Sequence, residues 1–262
     1  MADDAPLPPA TEFRLPAGWG AVDFISDLHL AAALPRTVEA LAGYLQRTHA
    51  DAVLILGDLF EFWPGDDAAQ LPFERQCLDL LAAAARRCCV GLMVGNRDFL
   101  IRPALLRAHG LEPLADPTVL LGFGRRVLLT HGDALCLDDV AYQQFRRWAR
   151  DPGTQAEFLA RPLAERIALA TKVRHASEAS RGAEPPPGGW GDIHAGAALA
   201  ALRAAAADRL VHGHTHRPGD DELAPGIKRH VLSDWDLDEA APRAGVLRLS
   251  AAGMKRLAPA DA

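Results

Sequence analysis

The sequence contains little cysteine, no excess of positive charge and no long apolar run. Four cysteines occur among its 262 residues and none belongs to a CxxC pair. We therefore expect reduced thiols, as in cytosolic proteins, and no cysteine-based zinc framework. The net charge of −6 argues against a general nucleic-acid-binding protein. No apolar run reaches the roughly 18 residues of a membrane-spanning helix, and residues 1–9 lack the basic start and apolar core of a signal peptide.

Apolar side chains make up 49% of the chain, enough for the core of one large α/β domain or of a domain with a cap. Continuous apolar runs alternate with helical patterns, which predicts a largely parallel sheet connected by helices. The predicted strands lie at 21–26, 52–56, 88–94, 119–121, 127–130, 210–212, 227–232 and 245–249. The predicted helices lie at 35–49, 73–86 and 195–207. We expect the last two strands to complete a second sheet or its edge.

Polar side chains follow five of these strands where each strand ends. Each short motif by itself could be a polar turn. The ends of parallel strands meet at one edge of a sheet, however, so these side chains are expected to gather there. Seven oxygen and nitrogen donors exceed what one ion needs and suit two ions that share a carboxylate. The predicted metal ligands are Asp27, His29, Asp58, Asn96, His131, His214 and His216. The remaining histidines, including His212 and His230, are expected to be structural or surface groups.

The motifs Asp-x-His, Gly-Asp, Gly-Asn-x-Asp, His-Gly and Gly-His-x-His, in this order, resemble those of the calcineurin-like metallophosphoesterases. The resemblance covers roughly residues 21–235. It implies an α/β fold, a two-layer αββα sandwich with a dinuclear site. By this resemblance Asp27, His29, Asp58 and His216 hold one ion, and Asp58, Asn96, His131 and His214 hold the other, with Asp58 bridging. Two such cations polarise a phosphoryl oxygen and activate water, so no serine or cysteine nucleophile is required.

Arg97 narrows the reaction that the sequence predicts. Many members of the superfamily have a histidine at this position, and a histidine can protonate a leaving alkoxide. Arginine keeps its proton near neutral pH, but it binds phosphate through two hydrogen bonds. We therefore expect the leaving group to be a phosphate, as in cleavage of a pyrophosphate bond. Asp98 is expected to orient Arg97. Asp133 is expected to be either a partner of a ligand histidine or a turn residue.

Residues 138–192 interrupt the strand pattern and are expected to form a helical cap. Between 141 and 181 they carry eight basic and four acidic residues, which favours an anionic membrane surface. We therefore divide the chain into a loose extension at 1–20, a core at 21–137 and 193–262, and the cap at 138–192. Phe60, Phe62 and Trp63 are expected either to pack in the core or to contact lipid.

The finer pattern resembles the UDP-2,3-diacylglucosamine diphosphatase family of lipid A synthesis. The matching segments include Gly95-Asn96-Arg97-Asp98-Phe99-Leu100 and Gly213-His214-Thr215-His216-Arg217-Pro218. This resemblance implies release of UMP and 2,3-diacylglucosamine 1-phosphate, two Mn²⁺ ions per chain and acyl chains received by the cap. The implied substrate contacts are Asn96, Arg97, Asp139, Tyr142, Ser177 and His214, with Arg174 or Arg181 where the family usually carries lysines.

The expected protein is a monomer without a nucleic-acid partner, cytoplasmic and peripheral on the cytoplasmic face of the inner membrane. One alternative is a soluble phosphoesterase that acts on a nucleotide pyrophosphate such as a dinucleoside polyphosphate. Another is a binding scaffold without catalysis. Such scaffolds usually lose metal ligands, whereas all seven are present in this sequence.

Overall fold

Two six-stranded β-sheets pack face to face, and helices cover both outer faces. The structure, a computed structural model, describes residues 7–181 and 191–262, with the backbone alone over 173–181. The described strands are β1 (Thr11–Arg14), β2 (Ala21–Ile25), β3 (Ala52–Leu56), β4 (Cys89–Met93), β5 (Glu112–Leu114), β6 (Thr118–Gly122), β7 (Arg125–Thr130), β8 (Arg209–His212), β9 (Gly219–Ala224), β10 (Ile227–Val231), β11 (Val246–Ser250) and β12 (Gly253–Leu257). The described α-helices are α1 (Pro35–Arg47), α2 (Pro72–Ala85), α3 (Pro103–Ala108), α4 (Val140–Ala149), α5 (Pro152–Leu159), α6 (Leu163–Arg181) and α7 (Ala195–Ala204).

The order of the strands places the carboxyl ends of the parallel strands at one edge of the sandwich. One sheet has the order β12-β11-β2-β3-β4-β5, in which β2 to β5 are parallel. The other has the order β1-β6-β7-β8-β10-β9, in which β7, β8 and β10 are parallel. The polar motifs therefore leave both sheets at the same edge of the sandwich.

Strand β3 shows why its sequence is apolar throughout. Val53 and Ile55 pack against the helices on the outer face, whereas Leu54 and Leu56 pack between the two sheets. Because successive side chains point to opposite faces, a strand covered on both faces needs apolar residues at every position. Helix α7 covers the outer face of the other sheet, where Leu202 packs in a separate cluster. The predicted αββα sandwich is confirmed.

Several local predictions were wrong. The segment predicted to be a loose extension contains β1, which pairs in parallel with β6. Its short TEFR sequence gives little strand signal, and only pairing with β6 buries part of it. The two strands expected to complete a second sheet or its edge are separated: β10 lies between β8 and β9 in one sheet, whereas β11 lies between β12 and β2 in the other. Strands β5, β9 and β12 were not predicted, because they are short or rich in charged side chains.

The helices α4, α5 and α6 follow β7 where the cap was predicted. The division of the chain at 138 and 192 stays a prediction. Phe60 and Trp63 are 1% and 0% exposed, and their rings lie 4.8 Å apart, so core packing explains both. Within the described part of the chain, no helix is long and apolar enough to cross a membrane.

Candidate metal centre

The first group of predicted ligands lies where β2 ends. Asp27 and His29 follow β2, and His216 follows β8 of the other sheet. The Nε2 atoms of His29 and His216 are 3.2 Å apart. Asp27 Oδ1 lies 3.4 Å from His216 Nε2 and 4.0 Å from His29 Nε2. One carboxylate oxygen and two imidazole nitrogens thus converge, a donor set that suits divalent transition metals.

The second group surrounds the side-chain amide of Asn96. Its Oδ1 lies 2.9 Å from His131 Nε2 and 2.8 Å from His214 Nδ1. Asp58 Oδ2 lies 3.7 Å from the same nitrogen of His131. Donor atoms of Asp27, Asp58 and His131 all lie within 4.8 Å of one another, so Asp27 connects the two groups. The structure brings all seven predicted residues together, and the bridging role of Asp58 stays a prediction.

Left-handed backbone conformations aim most of these side chains. The described chain contains seven residues other than glycine with positive φ, and five of them are predicted ligands. Such conformations are uncommon outside glycine and persist where the surrounding structure imposes them. The φ angles are 52° at Asp27, 46° at His29, 54° at Asp58, 65° at His214 and 51° at His216. This concentration of unusual backbone at one edge indicates a functional site.

Two glycines lie directly against the candidate carboxylates. A Cβ atom at Gly95 would lie 2.1 Å from Asp58 Oδ1, and one at Gly213 would lie 2.2 Å from Asp27 Oδ2. Both distances are far shorter than van der Waals contact, so side chains larger than hydrogen do not fit. The glycines of these motifs thus let the backbone enclose Asp27 and Asp58 closely, which fits a compact metal centre.

Hydrogen bonds fix the orientation of the candidate ligands. His131 Nδ1 lies 3.0 Å from the carbonyl oxygen of Leu56, which directs its Nε2 toward the site. The backbone N–H of His214 donates to Asp27 Oδ2 at 2.9 Å. The backbone of one sheet therefore holds a carboxylate of the other, and the site depends on the packing of both sheets.

The charges at the site favour a cation. Burial by itself would lower the pKa of His131, but the carboxylates of Asp58 and Asp27 raise this pKa to about 9. Burial and the charge of His131 lower the pKa of His214 to about 3, which leaves a neutral imidazole, the form that binds metals. A proton on His131 offsets the buried carboxylates when no metal is bound, and divalent cations would offset them more fully. The donor types and the charge balance therefore fit two divalent cations.

Arg97 lies beside the first group and pairs with a residue to which the sequence analysis assigned no role. Arg97 Nη1 lies 3.2 Å from Glu61 Oε1, and Glu61 Oε2 lies 3.1 Å from His29 Nδ1. Glu61 therefore connects Arg97 to a candidate ligand. It follows Asp58 by three residues in the chain, and this closeness in sequence was the available signal.

Asp98 does not orient the side chain of Arg97, so that prediction was wrong. Its carboxylate accepts hydrogen bonds from the backbone N–H groups of Gly95, at 2.7 Å, and Leu59, at 2.8 Å. Burial and the charge of Asp58 raise the pKa of Asp98 to about 6. Asp98 therefore connects the loop after β4 to the loop after β3. It also satisfies two backbone N–H groups that would otherwise be buried without a partner.

Asp133 connects the candidate centre to helix α4. It begins a 3₁₀ turn, as one of its two predicted roles required, but its carboxylate contacts the cap. Asp133 Oδ2 accepts hydrogen bonds from Tyr142 Oη at 2.7 Å, Arg146 Nε at 2.7 Å and Arg150 Nη2 at 3.1 Å. Although burial by itself would raise the pKa of Asp133, the charges of Arg150 and Arg146 help to hold it well below its usual range. Arg150 also donates to the carbonyl oxygen of Gly95, so it joins two loops of the site.

Of the two predicted substrate contacts at the start of α4, Tyr142 lies beside a candidate ligand, whereas the exposed Asp139 caps the helix. The ring of Tyr142 lies 5.7 Å from the ring of His214. Asp139 caps the amino end of α4 by accepting the backbone N–H of Tyr142 at 2.9 Å. Ser177 lies outside the residues whose side chains the structure describes, as do Arg174 and Arg181.

The positive charge of the cap is less exposed than its composition indicates. Arg146 and Arg150 bind Asp133, and Arg166 is only 3% exposed. The guanidinium group of Arg166 binds the carboxylate of Asp67. These three arginines dock the cap on the core, so they do not act as free surface charges.

The fold is a sandwich of two sheets, and its strand ends hold two adjoining clusters of carboxylate, amide and imidazole donors. This is the architecture of a metallophosphoesterase. The model of the calcineurin-like phosphoesterase family matches residues 21–218. The chain belongs to this family.

Three relatives match nearly the whole chain, and each is named UDP-2,3-diacylglucosamine hydrolase. The protein of Ralstonia nicotianae is 45% identical over 88% of this chain and 89% of its own. The protein of Bordetella pertussis is 45% identical over 90% of this chain and 94% of its own. The protein of Xanthomonas oryzae pv. oryzae is 42% identical over 88% of this chain and 96% of its own.

The role of Asp133 in docking α4 predicts a large effect of Asp133→Asn. Loss of the charge leaves two arginines without their buried partner, so we expect the free energy of unfolding to fall by about 3 kcal/mol. Urea unfolding followed by circular dichroism measures this. Asp138→Asn, at a neighbouring exposed position, is the control and should change stability by less than about 0.5 kcal/mol. Equal stability of the two variants would show that Asp133 does not hold the cap.

Proposed function

We propose that this protein hydrolyses the pyrophosphate bond of UDP-2,3-diacylglucosamine to UMP and 2,3-diacylglucosamine 1-phosphate, in lipid A biosynthesis. The observation that carries the proposal is the pair of donor clusters with Arg97 at their side, in a chain 42–45% identical to proteins named for this substrate. The donor clusters and Arg97 lie where β2, β3 and β4 of one sheet and β7 and β8 of the other sheet end.

We propose Mn²⁺ as the metal, two ions per chain. Asp27, His29 and His216 would hold one ion, Asn96, His131 and His214 the other, and Asp58 would lie between them. Divalent cations in such a site polarise a phosphoryl oxygen and lower the pKa of the attacking water. Mixed imidazole and oxygen donors are compatible with manganese and with other divalent metals.

The chemistry of Arg97 supports a phosphate leaving group. Its guanidinium group can neutralise a departing phosphate through two parallel hydrogen bonds. Its contact with Glu61 holds the guanidinium group beside His29, so Arg97 does not need to be reoriented when the substrate binds. Asn96, Arg97 and His214 would contact the phosphates. Asp139 and Tyr142, at the start of α4, would contact the sugar or uridine. Ser177, Arg174 and Arg181, on α6, would also contact the substrate.

A cavity between the core and the cap supports an acyl-bearing substrate. Its volume is about 560 Å³, and it is lined by Val94 and Phe99 beside the candidate centre and by Leu159 on α5. Burial of acyl chains there would contribute about 0.8 kcal/mol per methylene. The cavity begins next to Gly95-Asn96-Arg97-Asp98, so a substrate could extend from the metal centre into it.

We also propose that the protein is a monomer, cytoplasmic and peripheral on the cytoplasmic face of the inner membrane, with no nucleic-acid partner. Val140 and Trp148 on α4 are 61% and 60% exposed, and Phe145 is 41% exposed. Tryptophan is enriched at membrane interfaces, so Trp148 would lie there with the apolar Val140 and Phe145 beside it. Arg147 is exposed on the same helix and would face anionic lipids.

Arg147→Glu changes the charge by two units, and each unit near an anionic surface contributes roughly 1 kcal/mol, so binding to vesicles that contain phosphatidylglycerol should weaken by about tenfold or more. Vesicle sedimentation measures this. Arg107→Glu on α3, also exposed, is the control and should have no effect. Unchanged binding of the Arg147 variant would contradict the proposed membrane-facing surface.

The decisive experiment is hydrolysis of UDP-2,3-diacylglucosamine in ¹⁸O-labelled water with Mn²⁺. We expect UMP and 2,3-diacylglucosamine 1-phosphate, and label in UMP would place the attack on the phosphorus nearer uridine. UDP-N-acetylglucosamine, which lacks the acyl chains, should be a poor substrate. Activity on dinucleoside polyphosphates with none on the acylated substrate would replace the assignment by the soluble alternative. Repetition with Mg²⁺, Co²⁺ and Zn²⁺ tests the choice of metal.

Arg97→Ala should retain metal and lose about 100- to 1,000-fold in kcat, because it removes a positive charge beside the developing phosphate charge. Metal content after dialysis and steady-state rates measure the two effects separately. Arg36→Ala, exposed on α1, is the control. Full activity of Arg97→Ala would reject the role of Arg97 in stabilising the leaving phosphate.

A further inference from the structure

A second polar cavity lies at the opposite edge of the sandwich from the candidate metal centre. Its volume is about 440 Å³, and Arg125 and Arg209 line it at the beginnings of β7 and β8. His131 and His214 follow the other ends of the same strands. A six-residue strand such as β7 is roughly 20 Å long, so this cavity is distinct from the metal centre. We call it the edge cavity.

The strand register shows that the edge cavity lies between the two sheets. Arg209 is paired with Val127 on one side and with Lys228 on the other, and His230 is paired with Val211. Paired residues point to the same face of a sheet. Val127 and Val211 belong to the apolar layer between the sheets. The layer between the sheets therefore changes from apolar to charged at this edge.

The acidic residues of the edge cavity are largely neutralised by neighbouring cations. Asp220 accepts two hydrogen bonds from Arg256 and lies 2.6 Å from His230 Nδ1. Asp221 is bound by Arg229, whose side chain does not line the cavity.

Two cations in the edge cavity are available for a ligand. The side chains of Arg125 and Lys228 have no hydrogen-bond or ion-pair partner among the described residues. One acid, Glu222, is opposite Lys228 in the strand register and lies beyond ion-pair distance. The cavity thus offers a surplus of unpaired positive charge, which favours an anion.

Two buried atoms in the edge cavity lack a hydrogen-bond partner. They are Arg125 Nε, which is a donor, and His230 Nε2. His230 is only 5% exposed, and its Nδ1 faces the carboxylate of Asp220, so the proton of the neutral ring lies on Nδ1 and Nε2 accepts. Burial lowers the pKa of His230, in agreement with a neutral ring. Buried polar groups without a partner are unfavourable, so a ligand is expected to satisfy both atoms.

We propose that the edge cavity binds a small anion that carries a phosphate monoester or free phosphate group. Phosphate oxygens accept hydrogen bonds from guanidinium and ammonium groups. The hydroxyl of a singly protonated phosphate donates to His230 Nε2, which a carboxylate or sulfate near neutral pH cannot do. The volume lies at the lower end of the range for small-molecule sites. This proposal does not depend on the reaction at the metal centre.

Isothermal titration of the full-length protein with inorganic phosphate, UMP and sulfate tests the proposal. Titrations with Mn²⁺ and after treatment with EDTA separate the two sites, because binding in the edge cavity needs no metal. We expect saturable binding of phosphate that survives EDTA, with sulfate weaker by about tenfold or more because it lacks the donated hydroxyl. Equal affinities for phosphate and UMP would identify the phosphate group alone as the ligand, and tighter binding of UMP would identify a nucleotide.

The double variant Arg125→Gln with Lys228→Gln should lose this binding at least about tenfold, with its fold checked by circular dichroism. Lys255→Gln is the control, since Lys255 is exposed on β12 between the cavity-lining residues Met254 and Arg256. The ¹⁵N shift of His230 Nε2 should also change when phosphate binds. Absence of binding after EDTA, or equal binding by both variants, would overturn the proposal and leave a cavity that holds only water. Neither result would affect the hydrolysis assigned to the metal centre.

Discussion

The structure depends on the burial of two carboxylates close together at the ends of the central strands. Asp27 is 0% exposed and Asp58 is 2% exposed, and buried carboxylates are unfavourable unless cations or N–H groups compensate them. Histidines of the facing sheet, backbone N–H groups and glycines without side chains surround both residues. The raised pKa of Asp98 reflects the same crowding of negative charge. Two divalent cations would satisfy this arrangement more completely than protons do.

The same constraint explains why the cap is attached where it is. Asp133 follows a candidate ligand by two residues, and its buried carboxylate is neutralised by two arginines of the cap. Arg150 also reaches the backbone of Gly95, beside Asn96. The charge that docks α4 is therefore part of the network that shapes the centre. A substrate held by the cap would lie in a defined position relative to the metals.

The two edges of the sandwich have different chemistry because the parallel strands of each sheet all begin at one edge and end at the other. The carboxyl ends of the parallel strands deliver the candidate ligands. The opposite edge brings cations from the beginnings of β7, β8 and β10 into the layer between the sheets. Apolar packing of residues such as Leu54 and Val211 separates the two. The candidate metal centre and the edge cavity are therefore not in direct contact.

Polar motifs after apolar runs were sufficient to predict that the seven candidate ligands meet at one edge, because parallel strands place their ends together whatever the details of packing. The αββα sandwich followed only from the resemblance to a known family, and the roles of the seven residues as metal ligands stay predictions. Local sequence could not identify the partners of charged side chains, which are set by contacts between distant segments. Glu61 rather than Asp98 pairs with Arg97, and Asp133 binds the cap. The strands β1 and β9 have weak local patterns and exist because a neighbouring strand pairs with them. Composition indicated a basic cap surface, yet the fold turns Arg146, Arg150 and Arg166 inward, because Arg146 and Arg150 pair with the buried Asp133 and Arg166 pairs with Asp67 of the core.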